Sequence, residues 1–178
     1  MLTKTDIEKY FIAEKQESLL FLVIGIIAVI TAIIFLTILK NNFYRGAAIP
    51  LIAIGLLQII VGYTVYKRTD TDRINMVYAY DLNPSKIKNT EIPRMEVVKK
   101  NFVIYRWIEI ILAMTSLVLV IKYKSNARFL NGWSGNAFWL GLGVFLSVQS
   151  ILMLGAAYFA EKRASIYSKG LQEFGNKK

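Results

Sequence analysis

The sequence predicts an all-α integral membrane protein, a bundle of four transmembrane helices, and three observations carry this prediction. Hydrophobic residues make up 55% of the 178 residues, and the mean hydropathy is +0.44, both high for a soluble domain of this size. Four apolar runs are each long enough to cross about 30 Å of hydrocarbon, which takes about 20 helical residues. Basic residues concentrate in the segments between and outside these runs.

The composition also excludes several kinds of catalytic and metal-binding site. The chain lacks both cysteine and histidine, which excludes disulfides, thiol nucleophiles, thiolate or imidazole metal sites and Ser-His-Asp catalysis. It contains neither a phosphate-binding glycine loop nor a zinc-protease motif. We therefore expect no enzyme activity, no cofactor and no metal site. The formal net charge of +10 indicates basic loops beside anionic lipid rather than nucleic-acid binding.

The first half of the chain predicts an N-terminal helix followed by a transmembrane hairpin. Residues 1–17 are polar, and we expect an interfacial helix there that continues into the first span, with Thr5 and Glu8 as its capping box. The first hairpin, 18–66, consists of spans 18–39 and 47–66. Each span has a face for close helix contact, formed by Gly25, Ala28, Thr31 and Ala32 in the first and by Leu51, Gly55, Gln58 and Gly62 in the second.

The stretch 67–100 is predicted to be a cytoplasmic connection. It carries both signs of charge and two prolines; Asn83-Pro84-Ser85 indicates a turn, and Thr90 indicates the N-cap of the next helix. Its segment 74–82, with Tyr78 and Tyr80, is aromatic and apolar enough to lie on the membrane surface or to form a short helix, which would either pack under the bundle or bind a partner. The sequence leaves both interpretations open.

The second hairpin, 101–160, is predicted to contain spans 101–122 and 137–160, followed by a basic tail, 161–178. Arg106 and Glu109 lie inside the third span, on the same helical face as Ala113 and Ser116. Charges within a span are costly and usually paired or turned inward. The sequence favours three interpretations: a structural Arg106–Glu109 pair near the cytoplasmic boundary, a proton- or cation-binding carboxylate, or a docking point for another membrane subunit.

Four further residues are candidate binding groups. Gln58 and Gln149 are the large polar side chains of the second and fourth spans. Gln58 is predicted to form an interhelical hydrogen bond or a substrate contact, and Gln149 is a candidate partner- or substrate-binding residue. Arg128 and Trp133, in the turn after the third span, suit the membrane–water boundary.

The distribution of Lys and Arg predicts the orientation. The two tails and the central connection hold 16 of the 22 basic residues, whereas the other two turns hold 5. The positive-inside rule places the side with 16 in the cytoplasm. We therefore expect a multi-pass protein of the inner (plasma) membrane with both termini cytoplasmic.

A weak internal repeat predicts two tandem helical hairpins. A shift of 85 residues aligns Thr5-Asp6-Ile7 with Thr90-Glu91-Ile92, and six further residues bring Gln58 onto Gln149. Both halves would share one orientation, which places a pseudo-twofold axis along the membrane normal.

These features favour a non-enzymatic protein that resides in the lipid bilayer and binds a protein partner or a second copy of itself. We expect an accessory or assembly subunit of an envelope complex, or an immunity protein against a membrane-active toxin. The alternative is a small-solute or ion transporter that works as an oligomer around Glu109, Gln58 and Gln149.

Overall fold

The computed structural model describes residues 2–124 and 135–177, which form four long helices with no strand in those ranges. Each helix is long and apolar enough to span a membrane, so the all-helical fold and the number of candidate spans are confirmed. The helices are α1 (Lys4–Leu39), α2 (Asn42–Leu82), α3 (Pro84–Tyr123) and α4 (Gly135–Lys177).

Helix α1 begins earlier than predicted. The amide of Thr3 donates to Oδ2 of Asp6 at 3.0 Å, and the amide of Asp6 donates to Oγ1 of Thr3 at 3.2 Å, a reciprocal capping pair. The predicted box of Thr5 and Glu8 was wrong, because Thr5 already lies inside a helix that starts at Lys4. The α-helix Lys4–Ile34 continues without a break from the polar start into the span, as expected, and ends in a π-helical turn, Phe35–Leu39.

Helix α3 also begins earlier than predicted. Oδ1 of Asn83 accepts from the amide of Lys86 at 3.3 Å, and Pro84 occupies the first turn, where its missing N–H costs least. Thr90 is therefore not an N-cap, and that prediction was wrong. It lies in a π-helical turn, Ile87–Glu91, between the short helix Pro84–Lys86 and the α-helix Ile92–Tyr123.

The segment predicted as a connection is thus helical on both sides of Asn83. Helix α2 has 41 residues, or about 60 Å at 1.5 Å per residue, twice the thickness of a bilayer's hydrocarbon core. Contacts divide the chain into two compact units. Unit 1 contains Met1–Leu20, Gly62–Arg106 and Ala156–Lys178, and unit 2 contains Phe21–Val61 and Trp107–Gly155.

Unit 2 is held together by close contacts at small residues. A Cβ atom on Gly25 would lie 2.7 Å from the carbonyl oxygen of Gly55, so α1 and α2 cross backbone to backbone there. Gly141 of α4 lies against the backbone of Phe43 of α2 in the same way. The predicted small faces are therefore buried in helix contacts, which is how helices in lipid gain packing energy.

Unit 1 has its own apolar core, which includes Phe11, Ile87, Met95 and Leu171, none of them measurably exposed. Its helices are tied by ion pairs, among them Lys15 with Asp70 and Arg163 with Glu17, and Lys4 with Asp81 at 2.5 Å. The segments expected to be separate tails and a connection thus form one folded unit.

Two contacts join residues that the repeat alignment treats as equivalent. In unit 1, the hydroxyl of Tyr10 lies 3.7 Å from the sulfur of Met95, and these residues are 85 positions apart. In unit 2, Gln58 contacts Gln149, 91 positions away. The repeat itself stays a prediction.

Candidate functional site

A polar cluster lies inside unit 2, formed by Gln58, Gln149, Ser116, Ser147 and Ser150. Nε2 of Gln58 donates to Oε1 of Gln149 at 3.4 Å, which is a long hydrogen bond. The hydroxyl of Ser147 donates to that of Ser116 at 2.8 Å. The cluster therefore joins α2, α3 and α4, and Gln58 forms an interhelical hydrogen bond.

Two atoms of this cluster have no hydrogen-bond partner in the part of the chain that the structure describes. They are Oε1 of Gln58 and Oγ of Ser150, and both residues are almost fully buried. Buried polar atoms of this kind usually contact water or a bound group. The cluster therefore has acceptor capacity that the described residues leave unused.

Glu109 and Arg106 do not form the predicted structural pair. The guanidinium of Arg106, in unit 1, binds Oε1 of Glu161 at 2.5 Å, and its side chain is 46% exposed. Glu109, in unit 2, is only 4% exposed, and its Oε2 has no partner among residues 2–124 and 135–177. An acid on α4 thus neutralises Arg106 and leaves Glu109 as a separate buried carboxyl.

A second group of charges is buried inside unit 1. Glu91, 2% exposed, accepts two hydrogen bonds from Arg94, at 2.7 and 2.8 Å, and the guanidinium of Arg94 lies over the ring of Phe11. Burial raises the pKa of the Glu14 carboxyl, and Arg68, 3.5 Å away, offsets this only in part. The pair of Glu14 and Arg68 joins α1 to α2, whereas Glu91 and Arg94 pair within α3.

Helix α2 presents an exposed apolar face in unit 1, formed by Ile74, Tyr78 and Leu82. These residues follow at steps of four and are 63%, 64% and 67% exposed. Met76 and Ala79, on the opposite side of the helix, are buried in the core. We call these three residues the α2 face.

The two tyrosines predicted as partner contacts have different environments. The ring of Tyr80 stacks on Phe174, with centroids 5.1 Å apart, and its hydroxyl donates to the carbonyl of Leu2 at 3.1 Å. Tyr80 therefore packs within unit 1, and only Tyr78 remains at the surface. Arg128 and Trp133 lie outside the described residues.

Two lysines follow the α2 face along the chain. Lys86 and Lys88 are exposed, and neither has an ion-pair partner among the described residues. The nearby acid Asp81 is held by Lys4. Unit 1 as a whole contains 17 basic and 11 acidic residues, a net charge of +6.

The sequence indicated segment 74–82 and Tyr78 as candidates but not Ile74 and Leu82 as parts of one helical face, because residues 67–100 were interpreted as a connection. The signal was present as Ile74, Tyr78 and Leu82 at helical spacing directly after a charged stretch. Within the described ranges, no group of three or more acidic side chains lies in a geometry that could hold a metal ion. Comparison with protein-family models, with curated proteins and with solved structures found no match to this chain.

Proposed function

We propose that this chain is a non-enzymatic protein of the inner membrane that binds a protein partner through the α2 face of unit 1. The exposure of Ile74, Tyr78 and Leu82 is the observation that carries the proposal. An apolar patch exposed on a folded unit marks an interaction site when lipid does not cover it. The excess of basic residues in the tails and the central segment supports an orientation with unit 1 in the cytoplasm.

The hydrocarbon of the bilayer is an unfavourable environment for the part of α2 that carries the α2 face. Five charged residues, Lys67, Arg68, Asp70, Asp72 and Arg73, stand between the predicted second span and Ile74. Each charge at the centre of a bilayer costs about 2.5–3.5 kcal/mol on insertion scales, so this part of α2 lies outside the hydrocarbon. We infer that a protein surface covers the face, and Tyr78 is the type of residue that anchors such contacts.

We expect the set of proteins that co-purifies in mild detergent to depend on the α2 face. Replacing Ile74→Ser together with Tyr78→Ser removes apolar area from the face without touching the core of unit 1. The matched control is Ile166→Ser, a change of an exposed isoleucine of the same unit. Quantitative mass spectrometry should show one protein that the double variant loses and the control retains.

This proposal covers both an accessory subunit of an envelope complex and an immunity protein, because each acts by contact alone. The identity of the lost protein separates the two. If the double variant and the control retain the same proteins, partner binding at the α2 face is refuted. Recovery of this chain alone, in wild type and variants, would favour a homo-oligomer.

The unpaired carboxyl of Glu109 favours one second candidate, a transporter of protons or small cations. Glu109 and Gln58 both place buried oxygens without described partners in unit 2, and such groups mark ion pathways in membrane proteins. We expect Glu109→Gln to abolish cation or proton flux into proteoliposomes if this candidate is correct. Equal flux through wild-type and Glu109→Gln protein, or no flux through either, would eliminate it.

A further inference from the structure

Exposed aromatic side chains mark one end of unit 1. Tyr63, Tyr105, Tyr158 and Phe159 are between 53% and 63% exposed. Each lies within three residues of the point where its helix leaves unit 1 and continues, along the chain, into a predicted span. Aromatic residues concentrate at the level of lipid headgroups. We call this part of unit 1 the span-proximal end, and it consists of residues 13–20, 62–70, 98–106 and 156–163.

The acidic residues of the span-proximal end are all held by ion pairs. Its four stretches contain four acids, and each acid contacts a basic side chain of a different helix. The pairs are Glu14 with Arg68 at 3.5 Å, Glu161 with Arg106 at 2.5 Å, Glu17 with Arg163, and Asp70 with Lys15. They join α1 to α2, α1 to α4 and α3 to α4, so the stretches that contain them lie side by side within unit 1.

Three exposed lysines of the same end have no ion-pair partner among the described residues. Lys67 and Lys162 are chain neighbours of residues in these pairs, and Lys100 lies six residues, or about 9 Å, before Arg106. The four stretches together contain eight basic and four acidic residues. They therefore carry four of the six net positive charges of unit 1, and the acids of the unit do not neutralise them.

The order of these residues along the helices suits the surface of a bilayer. Lys67, Lys100 and Lys162 lie five or six residues, about 8–9 Å, from the points where their helices leave unit 1. The exposed aromatic residues lie between those points and the lysines. Aromatic rings favour the boundary of the hydrocarbon, and lysine side chains extend from there to the headgroups. Three helices thus present first an aromatic and then a cationic level.

We propose that Lys67, Lys100 and Lys162 bind the phosphate groups of anionic phospholipids in the cytoplasmic leaflet. The phosphodiester of a lipid such as phosphatidylglycerol supplies the negative charge that the span-proximal end lacks. A lipid fits better than free phosphate, because the aromatic residues beside the lysines need a boundary between apolar and polar surroundings. This surface is separate from the α2 face, which begins at Ile74, about 10 Å further along α2.

Native mass spectrometry of the full-length protein in uncharged detergent tests the binding. Phosphatidylglycerol and phosphatidylcholine with the same acyl chains are offered together, and wild type should retain mainly phosphatidylglycerol. Each lysine near an anionic surface contributes about fivefold to binding. The combined variant Lys67→Gln, Lys100→Gln, Lys162→Gln should therefore lower the preference at least about tenfold. The matched control, Lys86→Gln, Lys88→Gln, Lys169→Gln, removes three other exposed lysines of unit 1 and should leave the preference unchanged.

Spin labels test the position of the lysines independently of their charge. The chain has no cysteine, so Lys67→Cys, Lys100→Cys, Lys162→Cys and the control Lys86→Cys can each be labelled at one site. In nanodiscs that contain phosphatidylglycerol, we expect the first three labels in the headgroup layer and the control label in water. No lipid preference in wild type, a preference that the triple variant keeps or the control loses equally, or four labels in water would overturn the inference. Displacement of the bound lipid by inorganic phosphate would also overturn it.

Discussion

Arg94→Ala should destabilise unit 1 by about 3 kcal/mol, because it leaves the buried carboxylate of Glu91 without its counter-ion. Glu91 is 2% exposed and receives two hydrogen bonds from the guanidinium. The loss lies at the low end of values for buried pairs, since the Arg94 side chain is 23% exposed and water can reach part of the site. Thermal unfolding in detergent, followed by circular dichroism, measures the change.

The double variant Glu91→Leu, Arg94→Met is the control for this effect. It removes both charges and keeps similar side-chain volume, so no uncompensated charge stays in the core. We expect it to recover most of the stability lost in Arg94→Ala. A double variant as unstable as the single one would show that the packing of Arg94 against Phe11, rather than the charge pair, stabilises this region.

Gly141→Ala should have the second large effect, in unit 2. The added Cβ would overlap the carbonyl of Phe43 on α2, and a backbone atom cannot rotate away as a side chain does. Overpacking typically costs about 1–3 kcal/mol, and the rigid obstruction favours the upper part of that range. The loss should appear as a lower melting temperature in detergent.

Gly155→Ala is the matched control on the same helix, since nothing lies within 4 Å of the position of its Cβ. Alanine favours helix over glycine by up to about 1 kcal/mol, so this variant should be unchanged or slightly more stable. Equal melting temperatures for Gly141→Ala and Gly155→Ala would mean that α2 and α4 do not meet closely at Gly141.

The sequence predicted the features of the fold that strong physical constraints determine. Hydrocarbon thickness fixes the length of a span, so four apolar runs predicted four helices. The requirement for close packing predicted the buried faces around Gly25 and Gly55. Helix boundaries were harder to predict. Thr3 and Thr5 both begin a plausible capping motif, and only the structure shows that Thr3 is the one that caps the helix.

The site was predicted less well, because pairing depends on contacts between distant residues. Arg106 and Glu109 have ideal spacing for an ion pair on one helix, yet Glu161, 55 residues away, binds Arg106 instead. No local pattern indicates the pairing of Arg106 with Glu161. Tyr78 and Tyr80 are the same residue type in the same segment, so composition does not distinguish them. Because α2 continues to Leu82, the helical period places Tyr78 on the outer side and Tyr80 on the side of Phe174.

Photo-crosslinking in the cells that naturally express this protein tests the central claim most directly. A photoreactive phenylalanine analogue replaces Tyr78 in one variant and Lys169, its equivalent in the predicted repeat, in another; both positions are exposed. We predict that position 78 crosslinks to one protein and that position 169 does not. Identical crosslinks from both positions, or products from position 78 that contain only lipid, would contradict the account.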